Sequence, residues 1–203
     1  GLGVNLIVNK SNSKLKVQLD SCVRLKVDFI ITSLGSPEDV INKCKPSGIK
    51  VFCDVVEENY AKKVAELGAD AVIAVNKNAG GHAGDLSSKE LFNCINNTCD
   101  TPIISAGGVG DKLGVDEKLS EGFAGLSIGS PFIACEEAGI SEEYKKACVD
   151  YGKNDIVMTT KISGTPCTVI NTPYVQQVGT EQNWLEKMMS KNKKIKKWIK
   201  MLT

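Results

Sequence analysis

The chain has 203 residues and a single histidine, His82. One imidazole cannot complete a zinc set with cysteines, and none of the eight cysteines stands in a C-x-x-C pair. Cys22, Cys44, Cys53, Cys94, Cys99, Cys135, Cys148 and Cys167 are scattered through a chain rich in core residues, which reads as reduced cysteine serving as small apolar filler in a cytoplasmic protein. An excess of one charge is also missing. Lys and Arg total 25 and Asp and Glu total 24, so no global field recruits nucleic acid or a membrane surface. The apolar runs are strand-sized, too short to span a bilayer, and no secretory signal is visible. G-x-x-x-x-G-K-[ST], G-x-S-x-G and a G-x-G-x-x-G after the first strand are all absent, as is any Ser-His-Asp order. No metal constellation, internal repeat beyond the strand-helix unit, or low-complexity linker occurs.

What is present is alternation. Apolar strands are expected at Leu2 to Val8, Phe29 to Thr32, Lys50 to Val56, Ala71 to Val75, Pro102 to Ala106 and Ala124 to Ile128. Amphipathic helices are expected between them: Lys14 to Leu25, a helix capped by Ser36 with Pro37 at its first position, Glu58 to Leu67 closed by Gly68, one opened by Ser87-Ser88-Lys89-Glu90, and Val115 to Glu121. Six alternations without a hairpin signal argue an α/β fold with a parallel sheet. An open doubly wound sheet and part of an eight-stranded barrel both fit this pattern. In either, ligands bind at the carboxyl ends of the strands, where the polar and glycine-rich residues cluster. Asn5, Ser33-Leu34-Gly35, Asn76 to Gly84, Ala106 to Gly110 and Gly129-Ser130 all fall there.

After Phe132 the pattern changes. Ser141 caps a helix through Val149, and Asp155 to Ile170 reads as extended segments around the turn Ser163-Gly164-Thr165-Pro166. Glu181 to Thr203 reads as a basic amphipathic helix with Trp184, Leu185, Met188, Ile195, Trp198, Ile199 and Leu202 on one stripe. The expected organisation is a barrel portion over 1–140 and a C-terminal helical and extended segment over 141–203 that packs on it.

The stretch Asn78-Ala79-Gly80-Gly81-His82-Ala83-Gly84 follows the fourth strand. Its glycines allow positive φ and close backbone approach, and its histidine suits proton transfer near neutral pH. Ala106-Gly107-Gly108 and Gly129-Ser130 place small residues where two successive strands turn into helices, which suits phosphate. A phosphate site beside one histidine, without metal or nucleophile, fits a phosphate-bearing organic cofactor.

Gly3-Val4-Asn5-Leu6, Ala79-Gly80-Gly81-His82-Ala83-Gly84, Pro102 to Val109 and Gly129-Ser130-Pro131-Phe132 come in the order and spacing of the nitronate monooxygenases, formerly 2-nitropropane dioxygenases, and the chain resembles that family to about Asn171. The resemblance implies a (β/α)8 TIM barrel that binds FMN and oxidises alkyl nitronates or nitroalkanes with molecular oxygen. It implies that Asn5 contacts the flavin ring system and that Gly80 and Gly81 let the loop approach it. It further implies that Gly107, Gly108, Ser127, Gly129 and Ser130 cradle the phosphate, with His82 as general base. The chain departs from the family at Val75, where a glutamine is usual, at Asn78, where an acid is usual, and at Ser130-Pro131, where Thr-Arg is usual. The family also carries two strand-helix units before the position of Gly1, so a fragment, an unobserved start and a partner supplying the edge are all open. The implied partners are a small-molecule substrate and oxygen, with neither nucleic acid nor membrane, and a second copy of the chain is a candidate. Alternatives are a flavin-dependent enoyl-acyl carrier protein reductase, a quinone reductase of the same superfamily, and a non-catalytic barrel remnant.

Overall fold

Six strands form one parallel sheet whose spatial order follows the chain. They are β1 (Gly3–Ile7), β2 (Phe29–Ser33), β3 (Lys50–Val55), β4 (Ala71–Val75), β6 (Ile103–Ala106) and β7 (Gly125–Ser127); the two-residue β5 (Gly81–His82) belongs to another sheet. The computed structural model describes residues 1–162, 164, 166–184, 186 and 187. A doubly wound sheet would reverse its order part-way and carry helices on both faces. Here every crossover steps the same way, so right-handed connections place all the helices on one face. This is the winding of a TIM barrel, and the chain supplies six strands of it.

The connecting helices are α1 (Leu15–Leu25), α2 (Glu38–Cys44), α3 (Glu58–Glu66), α4 (Ser88–Asn96) and α5 (Lys112–Ser120). The core lies between them and one face of the sheet. Leu6, Ile30, Val51, Cys53, Val55, Val72, Ala74 and Ile103 pack there against Leu19, Cys22, Val40, Ile41, Cys44, Val64, Leu91 and Ile95. The eight cysteines are unpaired, and burial pushes the thiols of Cys44 and Cys53 up to about 11, which holds them as inert packing groups.

Local signals explain most element boundaries. Ser87 and Glu90 form a reciprocal capping box at α4, and Gly68 (φ 96°) follows α3. Two starts differ from expectation. The α2 cap is Pro37, not Ser36, because Pro37 already has near-helical φ −82° and ψ −1° and Ser36 Oγ reaches Glu38 N–H only at 3.5 Å. Helix α5 begins at Lys112 rather than Val115, because the Asp111 carboxylate caps it by accepting from Gly114 N–H at 2.8 Å.

The chain divides into two units, residues 1–77 with 84–128, and residues 78–83 with 129–203. The second unit therefore begins ahead of the boundary at 140 read from sequence. It contains α6 (Ser130–Ile133), α7 (Glu142–Asp150), β8 (Ile156–Thr159), β9 (Cys167–Ile170) and α8 (Pro173–Val178). Its antiparallel sheet has the order β5-β9-β8. Ser141 caps α7 by accepting from Tyr144 N–H, as its sequence position suggests. The expected turn residues Ser163 and Thr165, and the basic tail beyond Lys187, lie outside the described residues. Among the described residues no helix is long and apolar enough to cross a membrane.

Candidate functional site

In the first unit, strand register decides which side chains share a face. Asn5 pairs with Ile31, Ile7 with Ser33, Asp54 with Ile73, Val75 with Ala106, and Ala106 with Ser127. Asn5, Ser33, Asp54, Val75, Ala106 and Ser127 therefore lie on the face opposite the helix-packed core. Asn5 and Ser127 are exposed there, Ser33 is buried and Asp54 is half-buried. Ser33 Oγ stands 3.0 Å from Asn5 Oδ1 and 2.5 Å from Asp54 Oδ2. Burial pushes the Asp54 carboxyl above its ordinary range, against the opposing effect of its hydrogen bond with Ser33.

The loop after β2 is held in an uncommon conformation. Leu34 has φ 62° and an exposed side chain, a conformation that costs a non-glycine residue about 1–2 kcal/mol. Val8 N–H donates to Ser33 O at 2.9 Å and Tyr60 Oη donates to Gly35 O at 2.5 Å, which brackets that residue from both sides.

The turn after β6 is the first unit's clearest ligand feature. Gly107 and Gly108 have φ 111° and 78°, so consecutive peptides run through a region closed to most side chains. Asn76, 1% exposed, fixes this turn by donating from Nδ2 to Gly107 O at 3.1 Å and from its backbone N–H to Ala106 O at 3.1 Å. Sequence reasoning placed Asn76 in the polar cluster but assigned it no role; a buried asparagine at a strand end was the available signal. The α5 N-terminus already holds the Asp111 carboxylate, and at this strand end the Gly107–Gly108 backbone is the group that could hold an anion.

In the second unit, Gly81 and His82 stand in the stretch read from sequence as a loop. They form β5 and pair antiparallel with Thr168 and Cys167 of β9. Thr168 laces the segment, because its Oγ1 accepts from Gly81 N–H at 3.0 Å and donates to Ala79 O at 2.8 Å. Nothing in the local pattern marked Thr168, which is more than eighty positions away in sequence. His82 is exposed on this short strand. Gly80 lies against Ser130, and a Cβ on Gly80 would stand 3.0 Å from Ser130 Oγ. Gly129 is the N-cap of the four-residue α6.

The expected residues thus fall into local groups. Asn5 sits with Ser33 and Asp54, Gly107 and Gly108 with Asn76, and Ser127 beside Ala106; Gly80 sits with Ser130, and His82 with Cys167. A positive-φ glycine pair offering backbone amides, with a carboxamide on the same sheet's open face, suits a phosphate-bearing heteroaromatic group.

Comparison with known proteins agrees with this architecture. The chain is 30% identical over 87% of its length to a (3aS,4S,5R,7aS)-5-hydroxy-7a-methyl-1-oxo-octahydro-1H-indene-4-carboxyl-CoA dehydrogenase of Rhodococcus jostii, covering 49% of that protein. It is 31% identical to a nitronate monooxygenase of Paraburkholderia phytofirmans, over 62% of this chain and 37% of that protein. The chain therefore spans about half or less of these curated relatives. Among solved structures, FabK from Thermotoga maritima superposes with a TM-score of 0.80 at 27% identity, covering 98% of this chain and 61% of that one. The nitronate monooxygenase family model matches residues 2–201, and the chain belongs to that family of oxidoreductases.

Proposed function

We propose that this chain is the FMN-binding barrel portion of an enzyme that oxidises alkyl nitronates or nitroalkanes with molecular oxygen. The observation that carries the reading is the family match over residues 2–201, which includes every residue assigned a role. Bound FMN would supply the electron-accepting ring. Gly107 and Gly108 would hold its phosphate through backbone N–H groups, with Ser127, Gly129 and Ser130 contributing. Asn5 would contact the ring by its carboxamide, and Gly80 and Gly81 would leave room for it.

His82 is the residue for proton transfer. A neutral nitroalkane must lose its α-proton before it becomes electron-rich, and an imidazole nitrogen accepts that proton at neutral pH. A nitronate has already lost it, so toward nitronate His82 only orients the charged nitro group. The β5–β9 pairing and Thr168 favour this role, because a proton acceptor needs a fixed position.

The test is the visible spectrum of the full-length protein under anaerobic conditions. A flavin spectrum that bleaches on adding nitronate and returns on admitting air supports the reading. The likeness to FabK favours a second reading, a flavin-dependent enoyl-acyl carrier protein reductase. Bleaching by NADH or NADPH and none by nitronate would select it. Absence of flavin would select a non-catalytic remnant.

A further inference from the structure

The Asn5, Ser33 and Asp54 side chains meet at one hydroxyl, and the proton count there is restrictive. Ser33 Oγ carries a single hydrogen, yet it lies within hydrogen-bond distance of Asn5 Oδ1 and of Asp54 Oδ2. One hydrogen makes a full-strength bond to only one of two acceptors. With Asn5 Oδ1 turned to Ser33, the hydroxyl donates to Asn5, and Asp54 must be the neutral acid that donates to Ser33. With Asp54 ionised, the hydroxyl donates to the carboxylate. Asn5 must then turn its amide over and donate from Nδ2.

We propose that Asp54, acting through Ser33, is a positioning residue that decides which end of the Asn5 carboxamide faces outward to a ligand. Neutral Asp54 leaves the Asn5 NH2 outward as a donor; ionised Asp54 leaves the carbonyl outward as an acceptor. In this structure Asn5 Oδ1 faces Ser33, the amide orientation of the first arrangement. Ser33 is buried, so water does not readily replace either partner, while Asn5 is exposed and its outer end is open to a ligand. Burial of Asp54 favours the neutral acid and so supports the same arrangement.

The surrounding groups leave Asp54 as the titrating member. Its pair partner on β4 is Ile73, β1 and β2 present Asn5 and Ser33, and the ionisable neighbours that feel its charge are Tyr60 on α3 and Cys53 on β3. The Cys53 thiol is pushed up to about 11, and Tyr60 is raised from its phenolic value by burial, so both stay neutral while Asp54 titrates.

For the proposed activity, and resting on the reading that Asn5 contacts the flavin, the device selects a cofactor acceptor atom at that position when Asp54 is neutral. Two measurements separate the device from that reading. The first follows the Asn5 side-chain amide signals of the 15N-asparagine-labelled full-length apoprotein from about pH 4 to about pH 8, the window into which a raised carboxyl moves. The signals should shift with one titration above the usual carboxylate range. Asp54→Asn, whose amide can donate to Ser33 as the neutral acid does, should hold them at their low-pH position. Ser33→Ala should leave the Asp54 carboxyl carbon titrating while Asn5 no longer follows. Asn5 signals that stay flat while Asp54 titrates, or that move unchanged in Asp54→Asn, would overturn the proposal. The second measurement is FMN affinity across the same range, expected to weaken several-fold on ionisation of Asp54 in the wild type and to stay flat in Asp54→Asn. A flat wild-type affinity alongside responding Asn5 signals would remove the flavin contact and leave the device standing.

Discussion

The Asn76 side chain donates to the carbonyl of Gly107 at 3.1 Å, tying the end of β4 to the glycine turn after β6. The two residues lie on neighbouring strand ends, and the bond is made by a group that is 1% exposed. Removing one partner of a buried hydrogen bond costs about 1–3 kcal/mol, because the other is left desolvated. Asn76→Ala should therefore lower the unfolding free energy by that amount, read as a lower denaturant midpoint at unchanged slope. If Gly107 and Gly108 hold phosphate, it should also weaken FMN binding more than an equally destabilising change in the helix-packed core such as Val64→Ala.

Thr168 should act on His82 without touching substrate. Thr168→Val keeps the shape of the side chain but removes the hydroxyl that bonds both Gly81 N–H and Ala79 O. The expected stability loss is about 1–3 kcal/mol, since water replaces the bond at exposed Gly81 but the carbonyl of buried Ala79 is left without that donor. Amide exchange at Gly81 and His82 should accelerate well beyond that of β1 to β4. Turnover of a neutral nitroalkane should fall while FMN affinity holds.

Gly81 and Gly84 serve different ends, and paired substitutions should reveal it. Gly81 has φ 79° with open space around its missing Cβ, so Gly81→Ala costs about 1–2 kcal/mol of backbone strain. Gly81→Asn should recover part of that, because asparagine tolerates the left-handed region. At Gly84 a Cβ would stand 2.8 Å from Val75 O, so the cost there is a clash of about 1–3 kcal/mol. Gly84→Asn should be no better than Gly84→Ala by thermal unfolding.

Stability should depend on pH through Asp54 in a stated direction. Its carboxyl is raised by burial in the folded state, so the native chain holds its proton more tightly than the unfolded chain. Stability from this group is then fully present below the unfolded carboxylate range and declines as pH rises through the raised folded value. Asp54→Asn has no proton to lose. Its melting temperature relative to wild type should rise as pH is taken from acidic to neutral. A melting temperature of Asp54→Asn that falls relative to wild type over that range would contradict burial as the cause.

His82→Ala should separate the two substrate forms. Loss of a general base costs about 10²- to 10⁴-fold in the step it serves. The penalty should fall on kcat/KM for a neutral nitroalkane and be much smaller for the preformed nitronate, with rapid-reaction bleaching of the flavin as the readout.

Much of this protein is legible in one dimension. The strand-helix alternation, the helix-facing residues such as Leu91 and Ile95, the Ser87–Glu90 capping box and the glycine turns follow from period, propensity and caps, which act over a few residues. The family's motifs are equally local, so Gly107, Gly108 and His82 stood out before any fold was known. The α5 start was legible too, in Asp111, but the weak amphipathicity of Lys112 to Ser120 concealed it.

Three features were decided only by the folded chain. The singly wound strand order, which separates a barrel from an open sheet, depends on which strands pair, and alternating patterns do not encode that. The pairing of Gly81–His82 with Thr168–Cys167 joins segments more than eighty residues apart, through a threonine that reads as any strand residue would. The meeting of Asn5, Ser33 and Asp54 requires three strands in register with the same parity. Local propensity acts within one element; hydrogen-bond register and shared burial act between elements and exist only once the sheet has formed.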